Sequence, residues 1–257
     1  MNQLAAFTLF IASLLLFPGT CWGGDAPPEG LRHARIEHKG VEYDVVWVNL
    51  EQRKLSLHWK RPDGKPHQNL RKLGQSLKQE GKRLLFATNA GIYARDHTPL
   101  GLHVAEGVEL RGINQSNGGG NFFLMPNGVF YVDESGAHVT TTEEYAVRQP
   151  KPEVATQSGP LLVINGALHA RFLVDATSKY IRNGVGVVSE KEVVFAISRR
   201  PVIFHDFGTL FQEKLACRDA LYLDGSLSAL YAPWAGLHDG GALLVGMLAV
   251  SEPAEKE

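Results

Sequence analysis

The sequence predicts an α+β fold: a single β-rich domain of mixed sheet with a few helices. Three observations predict it. Short apolar or alternating runs outnumber helical stripes. Turn-forming residues interrupt them every few positions. Glycine occurs 27 times in 257 residues, about a tenth of the chain where ~7% is usual.

The chain opens on an uncharged apolar run, residues 4–18 (LAAFTLFIASLLLFP). It is shorter than the ~20 residues a membrane-spanning helix needs. Small residues follow at 19–26, so the segment reads as a signal peptide over residues 1–23. Residues 24–257 then form the domain, with its core at about 36–250. Cys21 follows Thr20 rather than a small residue, which argues against a lipoprotein anchor. Cleavage after Gly23 leaves Cys217 alone, so no internal disulfide forms and stability must come from the core. Roughly 230 residues suffice for one. The expected location is secreted or periplasmic, with no stable membrane span after cleavage. Net charge is −1 with no long basic run, which excludes a nucleic-acid partner.

The elements follow in order. Residues 35–38 and 41–50 (VEYDVVWVNL) flank Lys39-Gly40 as a hairpin. Residues 54–59 (KLSLHW) alternate as a half-buried strand. Residues 69–82 predict a helix, with Leu70, Leu73 and Leu77 on one stripe and Gly81 near its end. Residues 83–88 (RLLFAT) form an apolar strand that runs into Asn89-Ala90-Gly91. Two more hairpins are expected: residues 121–139, turning at Pro126-Asn127-Gly128, and 184–198, turning at 189–191. Thr141 with Glu144, and Thr209 with Gln212, have the spacing of capping boxes. Residues 220–223 (ALYL) make a strand ending at Asp224-Gly225, and residues 242–250 a last one.

Five segments set polar side chains beside glycine at strand ends: Thr88-Asn89-Ala90-Gly91, Asn117 to Asn121, Gln157-Ser158-Gly159-Pro160, Arg182-Asn183-Gly184, and Leu223-Asp224-Gly225-Ser226. Glycine allows a tight bend or a close backbone approach, and loops on a rigid scaffold commonly carry function. An ordinary turn explains any one segment; independent turns do not predict five. Composition alone does not name the chemistry.

In this order the motifs resemble the phosphodiester glycosidase domain family. The resemblance is carried by Asn89-Ala90-Gly91, Pro99-Leu100-Gly101, Glu106-Gly107, Gln157-Ser158-Gly159-Pro160, Arg182 before Gly186-Val187, and residues 217–225 (CRDALYLDG). It is similar to the exported bacterial members. Two positions depart from the family pattern: Asn183 stands where Ser or Thr is common, and Ser226 where the family often has glycine. The resemblance implies hydrolysis of a sugar 1-phosphodiester, so the expected partner is a carbohydrate or glycan-phosphate.

That reaction needs a cation for the phosphate and a carboxylate for the sugar or the attacking water. Arg182 is the candidate clamp and Asp224 the candidate base or nucleophile, with Asp206 a second carboxylate. Asn89, Gly91, Gln157, Ser158, Gly159, Asn183, His205, Gly225 and Ser228 are the candidate substrate contacts. Cys217 reads as a packing residue. His97, His103, His205 and His238 lack metal-ligand spacing, so neither metal nor cofactor is expected. A non-catalytic glycan-binding module, or a structural envelope protein whose polar strand ends are plain turns, are the other readings.

Overall fold

A computed structural model describes residues 26–224, 227–238, 241 and 243–254. The expected signal peptide therefore lies outside the described residues, as does Gly225. In chain order the elements are β1 (Leu31–His38), β2 (Val41–Asn49), β3 (Leu55–His58), α1 (Leu70–Gln79), β4 (Lys82–Asn89), β5 (His103–Ala105) and β6 (Val108–Arg111). Then come β7 (Gly128–Asp133), β8 (Gly136–Thr141), α2 (Thr142–Arg148), β9 (Val154–Ser158), β10 (Leu161–Ile164) and β11 (Ala167–Leu168). The remainder are β12 (Asn183–Ser189), β13 (Glu192–Ser198), α3 (Phe204–Thr209), β14 (Asp219–Tyr222), β15 (Leu230–Ala232), β16 (Leu237–His238) and β17 (Met247–Pro253).

These strands build three sheets. The large one runs β1-β2-β13-β12-β14-β10-β11, a second runs β16-β15-β4-β17-β3, and a third β6-β5-β9-β7-β8. Every pairing among the described strands is antiparallel. The expectation of a β-rich domain with few helices holds, but the mixed sheet does not. Hairpins link many neighbours, and the helices α1 and α3 carry the chain between strands that flank a third, from β3 to β4 across β17 and from β13 to β14 across β12.

The large sheet is buried on both faces, and its period-2 pattern divides the side chains between two cores. Val46, Val48, Val185, Val193, Phe195 and Leu221 face the two smaller sheets. Tyr43, Val45, Trp47, Val194, Ala196 and Tyr222 face α3 and the π-helical turn Leu210–Lys214 that follows it. Phe195 of the large sheet meets Phe86 of the second sheet at 5.0 Å and Phe130 of the third at 6.2 Å. One aromatic trio thus joins all three sheets. Each ring contributes about 2–3 kcal/mol by leaving water.

α1 forms where its stripe predicts. Asn69 caps it by accepting a hydrogen bond from Lys72 N at 2.8 Å, and Leu70, Leu73 and Leu77 pack with Leu84, Ala87 and Met247. The Thr141–Glu144 capping box is present. Cys217 is buried, and its enclosure pushes the thiol up to about 12, as suits a packing residue.

Three expectations need correction. The hairpin expected to turn at residues 126–128 turns instead at 134–135, because residues 121–123 form a 3-10 turn before β7. Thr209 does not form a capping box: it ends α3, which starts at Phe204, and precedes the π-helical turn without a side-chain cap, its hydroxyl bonding back to Asp206 O at 3.1 Å. The last strand spans Met247–Pro253, since residue 246 is still in the turn that passes Ala90.

The second and third sheets meet along a histidine-rich seam. The rings of His58 and His67 lie 5.8 Å apart, as do those of Trp59 and His103. Burial pushes His103 and His58 down to about 4 and His67 below its ordinary value. His58 also feels His67, Lys82 and His103, while Arg61, Glu80 and Asp63 act on His67. A histidine with a depressed folded pKa binds its proton more readily when unfolded. Its neutral form therefore favours folding fully above the unfolded value, near 6.5, and that stability is lost as pH falls toward 4. Urea unfolding should show stability level above about pH 6.5 and falling below it by at most about 1.4 kcal/mol per pH unit for each of His58 and His103. His103→Asn should remove one share of that slope; a flat profile down to pH 5 would contradict the assignment.

Candidate functional site

Four strand termini from the three sheets converge at one end of the molecule. β4 ends in Thr88-Asn89, β9 in Gln157-Ser158, β12 begins at Asn183, and β14 runs on into Leu223-Asp224. The seam is closed by side-chain amides. Asn183 Nδ2 donates to Asn89 Oδ1 at 2.9 Å and to Thr88 Oγ1 at 3.0 Å, while Asn89 Nδ2 donates to Asn183 Oδ1 at 3.2 Å. Ala229 N donates to Asn89 Oδ1 at 2.9 Å, and Asp224 N to Asn183 Oδ1 at 3.3 Å. The Ser158 hydroxyl donates to Leu223 O, and Ser228 Oγ to Asp224 O at 2.8 Å and Ile181 O at 3.1 Å.

This corrects the expectation that Asn89, Asn183, Ser158, Gln157 and Ser228 reach toward a substrate. Their polar atoms are bonded inside the protein. Gln157 accepts from Leu102 N and Asn114 N and donates to Asn114 O and Thr142 Oγ1, at 2.8–3.1 Å. Gly91 has a similar explanation: a Cβ there would lie 2.2 Å from Gln157 O, so glycine lets β4 and β9 approach each other. At Gly159 a Cβ would meet Asn127 Cβ at 2.6 Å and Phe122 O at 2.8 Å.

Arg182 and Asp224 lie at strand ends beside this seam. Arg182 is fully buried, at 0% exposure. Its Nε donates to Val202 O at 2.9 Å and its Nη2 to Ser178 O at 3.1 Å. The guanidinium lies 3.5 Å over the ring of Phe204, while Nη1 is buried and has no hydrogen-bond partner. Burial pushes this guanidinium below its ordinary pKa, and the Tyr222 and Tyr180 rings oppose the shift. No carboxylate pairs with Arg182 among the described residues.

Asp224 is 7% exposed, and its negative field reaches the phenols of Tyr222 and Tyr93. Tyr93 is half-buried, donates to Leu243 O at 3.3 Å and stacks on His97. The two tyrosines are the site residues that sequence reasoning missed. A signal for Tyr222 exists: it lies two positions before Asp224, on the same face of an extended segment.

Asp206 and His205 go elsewhere. Asp206 pairs with Lys39 at 3.7 Å and with His205 Nδ1 at 3.3 Å, beside the β1–β2 turn. Among the described residues, neither is hydrogen-bonded or ion-paired to Asn89, Asn183 or Ser158. No cluster of three or more His, Cys, Asp or Glu fit to hold a metal occurs among the described residues.

Residues 82–248, which carry all of these termini, match the family model for phosphodiester glycosidase. The chain belongs to the phosphodiester glycosidase family. It is 32% identical over 192 residues to the uncharacterized protein YigE of Escherichia coli strain K12, covering 73% of this chain and 75% of that one. Among solved structures it is similar to the zebrafish N-acetylglucosamine-1-phosphodiester alpha-N-acetylglucosaminidase catalytic domain auto-inhibited by its pro-peptide. The TM-score is 0.60 at 12% identity, over 91% of this chain and 87% of that one. A hypothetical protein from Synechocystis matches at TM-score 0.56 and 15% identity, over 88% and 64%. At those identities the likeness is one of fold.

The amide seam makes a direct prediction. Asn183→Ala strands buried polar atoms of Asn89, so unfolding in urea should show a loss of about 2–3 kcal/mol. Lys39→Ala, at the exposed Asp206 pair, should change stability by less than about 1 kcal/mol.

Proposed function

We propose that this phosphodiester glycosidase family member is an exported hydrolase that cleaves a sugar-1-phosphate diester of an envelope or exopolysaccharide glycan. The observation that carries the reading is the isolated charge of Arg182. A cation buried without a counter-ion costs several kcal/mol, and here one N–H group is left without an acceptor. A phosphate oxygen supplies both the missing charge and the missing acceptor.

In this reading, Arg182 holds the diester phosphate and stabilises the charge that grows on it as the bond from the anomeric carbon to oxygen breaks. Asp224 faces the sugar. Its carboxylate either takes a proton from the attacking water or bonds to the anomeric carbon before water releases the sugar. A phosphate monoester leaves with little need for protonation. Asp206 is left out of this reading, because its carboxylate is paired with Lys39 and His205. The apolar leader at residues 4–18 supports export, and no helix among the described residues is long and apolar enough to cross a membrane.

The test is turnover of a panel of glycosyl-1-phosphodiesters by the purified protein. Asp224→Asn should lower kcat roughly 10²–10⁴-fold, Arg182→Ala should lower kcat/KM by a similar factor, and Asp206→Asn should stay within about tenfold of the parent. Unchanged turnover in both of the first two variants would remove the assignment.

A further inference from the structure

Arg182 Nη1 is not the only buried polar atom here without a partner. The hydroxyl of Tyr222 is also enclosed and unbonded, on a residue with 0% exposure. The two groups face each other: the guanidinium carbon lies 5.5 Å from the Tyr222 ring centre. Both are held by the same ring, since Phe204 lies flat beneath the guanidinium at 3.5 Å and edge-on to Tyr222 at 4.8 Å. Phe172 stacks behind Phe204 at 5.0 Å, so this floor cannot easily yield. Bonds to Val202 O and Ser178 O fix the orientation of the Arg182 fork. Arg182 and Tyr222 thus lie within reach of each other's polar atoms, yet neither Arg182 Nη1 nor the Tyr222 hydroxyl completes a well-formed hydrogen bond.

Building on the hydrolase reading, we infer that Tyr222 and Arg182 together form a two-donor cradle for a phosphate oxygen, and that Tyr222 makes the site selective for phosphodiesters over ordinary glycosides. Burial raises the Tyr222 phenol well above its ordinary value, and the nearby Asp224 adds to the shift. The group therefore stays an O–H throughout the working pH range and can donate. A substrate without an anionic oxygen leaves both donors unsatisfied in a water-poor site. Sites built to bond a polar group discriminate strongly against analogues lacking it. Entry has a route: the side chain of Asn121 also faces the Tyr222 hydroxyl, and Asn121 is exposed at the end of the glycine run 118–120. An arriving anion would displace that side chain.

Tyr222→Phe tests the cradle, because it deletes one oxygen and keeps the ring. Without phosphate, the variant should melt at or slightly above the parent temperature, since an unbonded buried hydroxyl is removed. Inorganic phosphate should raise the parent's Tm, and the variant should bind it roughly 10–100-fold more weakly, as for a lost hydrogen bond to a charged group. Its kcat/KM preference for a glycosyl phosphodiester over the matching aryl glycoside should shrink by a similar factor. Arg182→Lys should also weaken phosphate binding, which covers the case of a Phe variant that folds poorly. Phosphate affinity and preference equal to the parent's, or a parent that phosphate does not stabilise, would overturn the cradle. If no diester is turned over while Tyr222→Phe still loses phosphate binding, the hydrolase reading fails and the cradle stands.

Discussion

The site depends on a pair of buried amides. Asn89 closes the second sheet and Asn183 opens a central strand of the large one, and each amide bonds the other in both directions. Ser158, from the third sheet, reaches Leu223 O beside them. Three sheets with separate registers are thus pinned at one point by groups that have no water to fall back on. Polar atoms buried this way are stabilising only when every one is bonded, which makes the geometry of the seam steep rather than soft. The position of Asp224 is set by that seam, because its backbone N–H and carbonyl both bond to seam side chains.

Much of this organisation was legible in the sequence, and the misreadings have physical causes. The helical stripe of Leu70, Leu73 and Leu77 and the β12–β13 hairpin were legible because one period governs each. The convergence of the strand ends was legible too, because glycine beside polar residues at strand ends marks a close approach. What that signal does not reveal is what approaches. At Gly91 it is the carbonyl of Gln157, another strand of the same protein rather than a ligand. The amide residues expected to contact substrate are instead seen bonding one another and the backbone. Tyr222 was passed over for the opposite reason: an aromatic residue inside an apolar strand reads as core, and only the unbonded state of its hydroxyl distinguishes it. Thr209 misled because a capping spacing does not exclude a preceding turn of helix.

Electrostatics separates the two carboxylate candidates in the same way. Asp206 is partly exposed, beside Lys39 and His205, so its charge is already answered and screened by solvent. Asp224 is almost enclosed, and its field acts on two phenols. A low local dielectric lets it act strongly on whatever enters. The same enclosure leaves Arg182 unscreened by solvent.

The parity of the strands explains how scaffold and chemistry coexist within two residues of each other. Neighbouring residues of a strand point to opposite faces. Leu223 N donates to Asn183 O, so these two residues sit opposite one another across the strand pair. Leu223 packs with the core shared by all three sheets, and Asn183 turns the same way, into the amide seam. One step along either strand reverses the direction. Arg182 and Tyr222 then turn toward Phe204 and α3. The dipeptides Arg182-Asn183 and Leu223-Asp224 each place one residue in the joint between sheets and one in the site. A shift of register by a single residue would exchange the two sets and destroy both. Fixing the seam therefore fixes the register that sets Arg182 and Tyr222 together over Phe204.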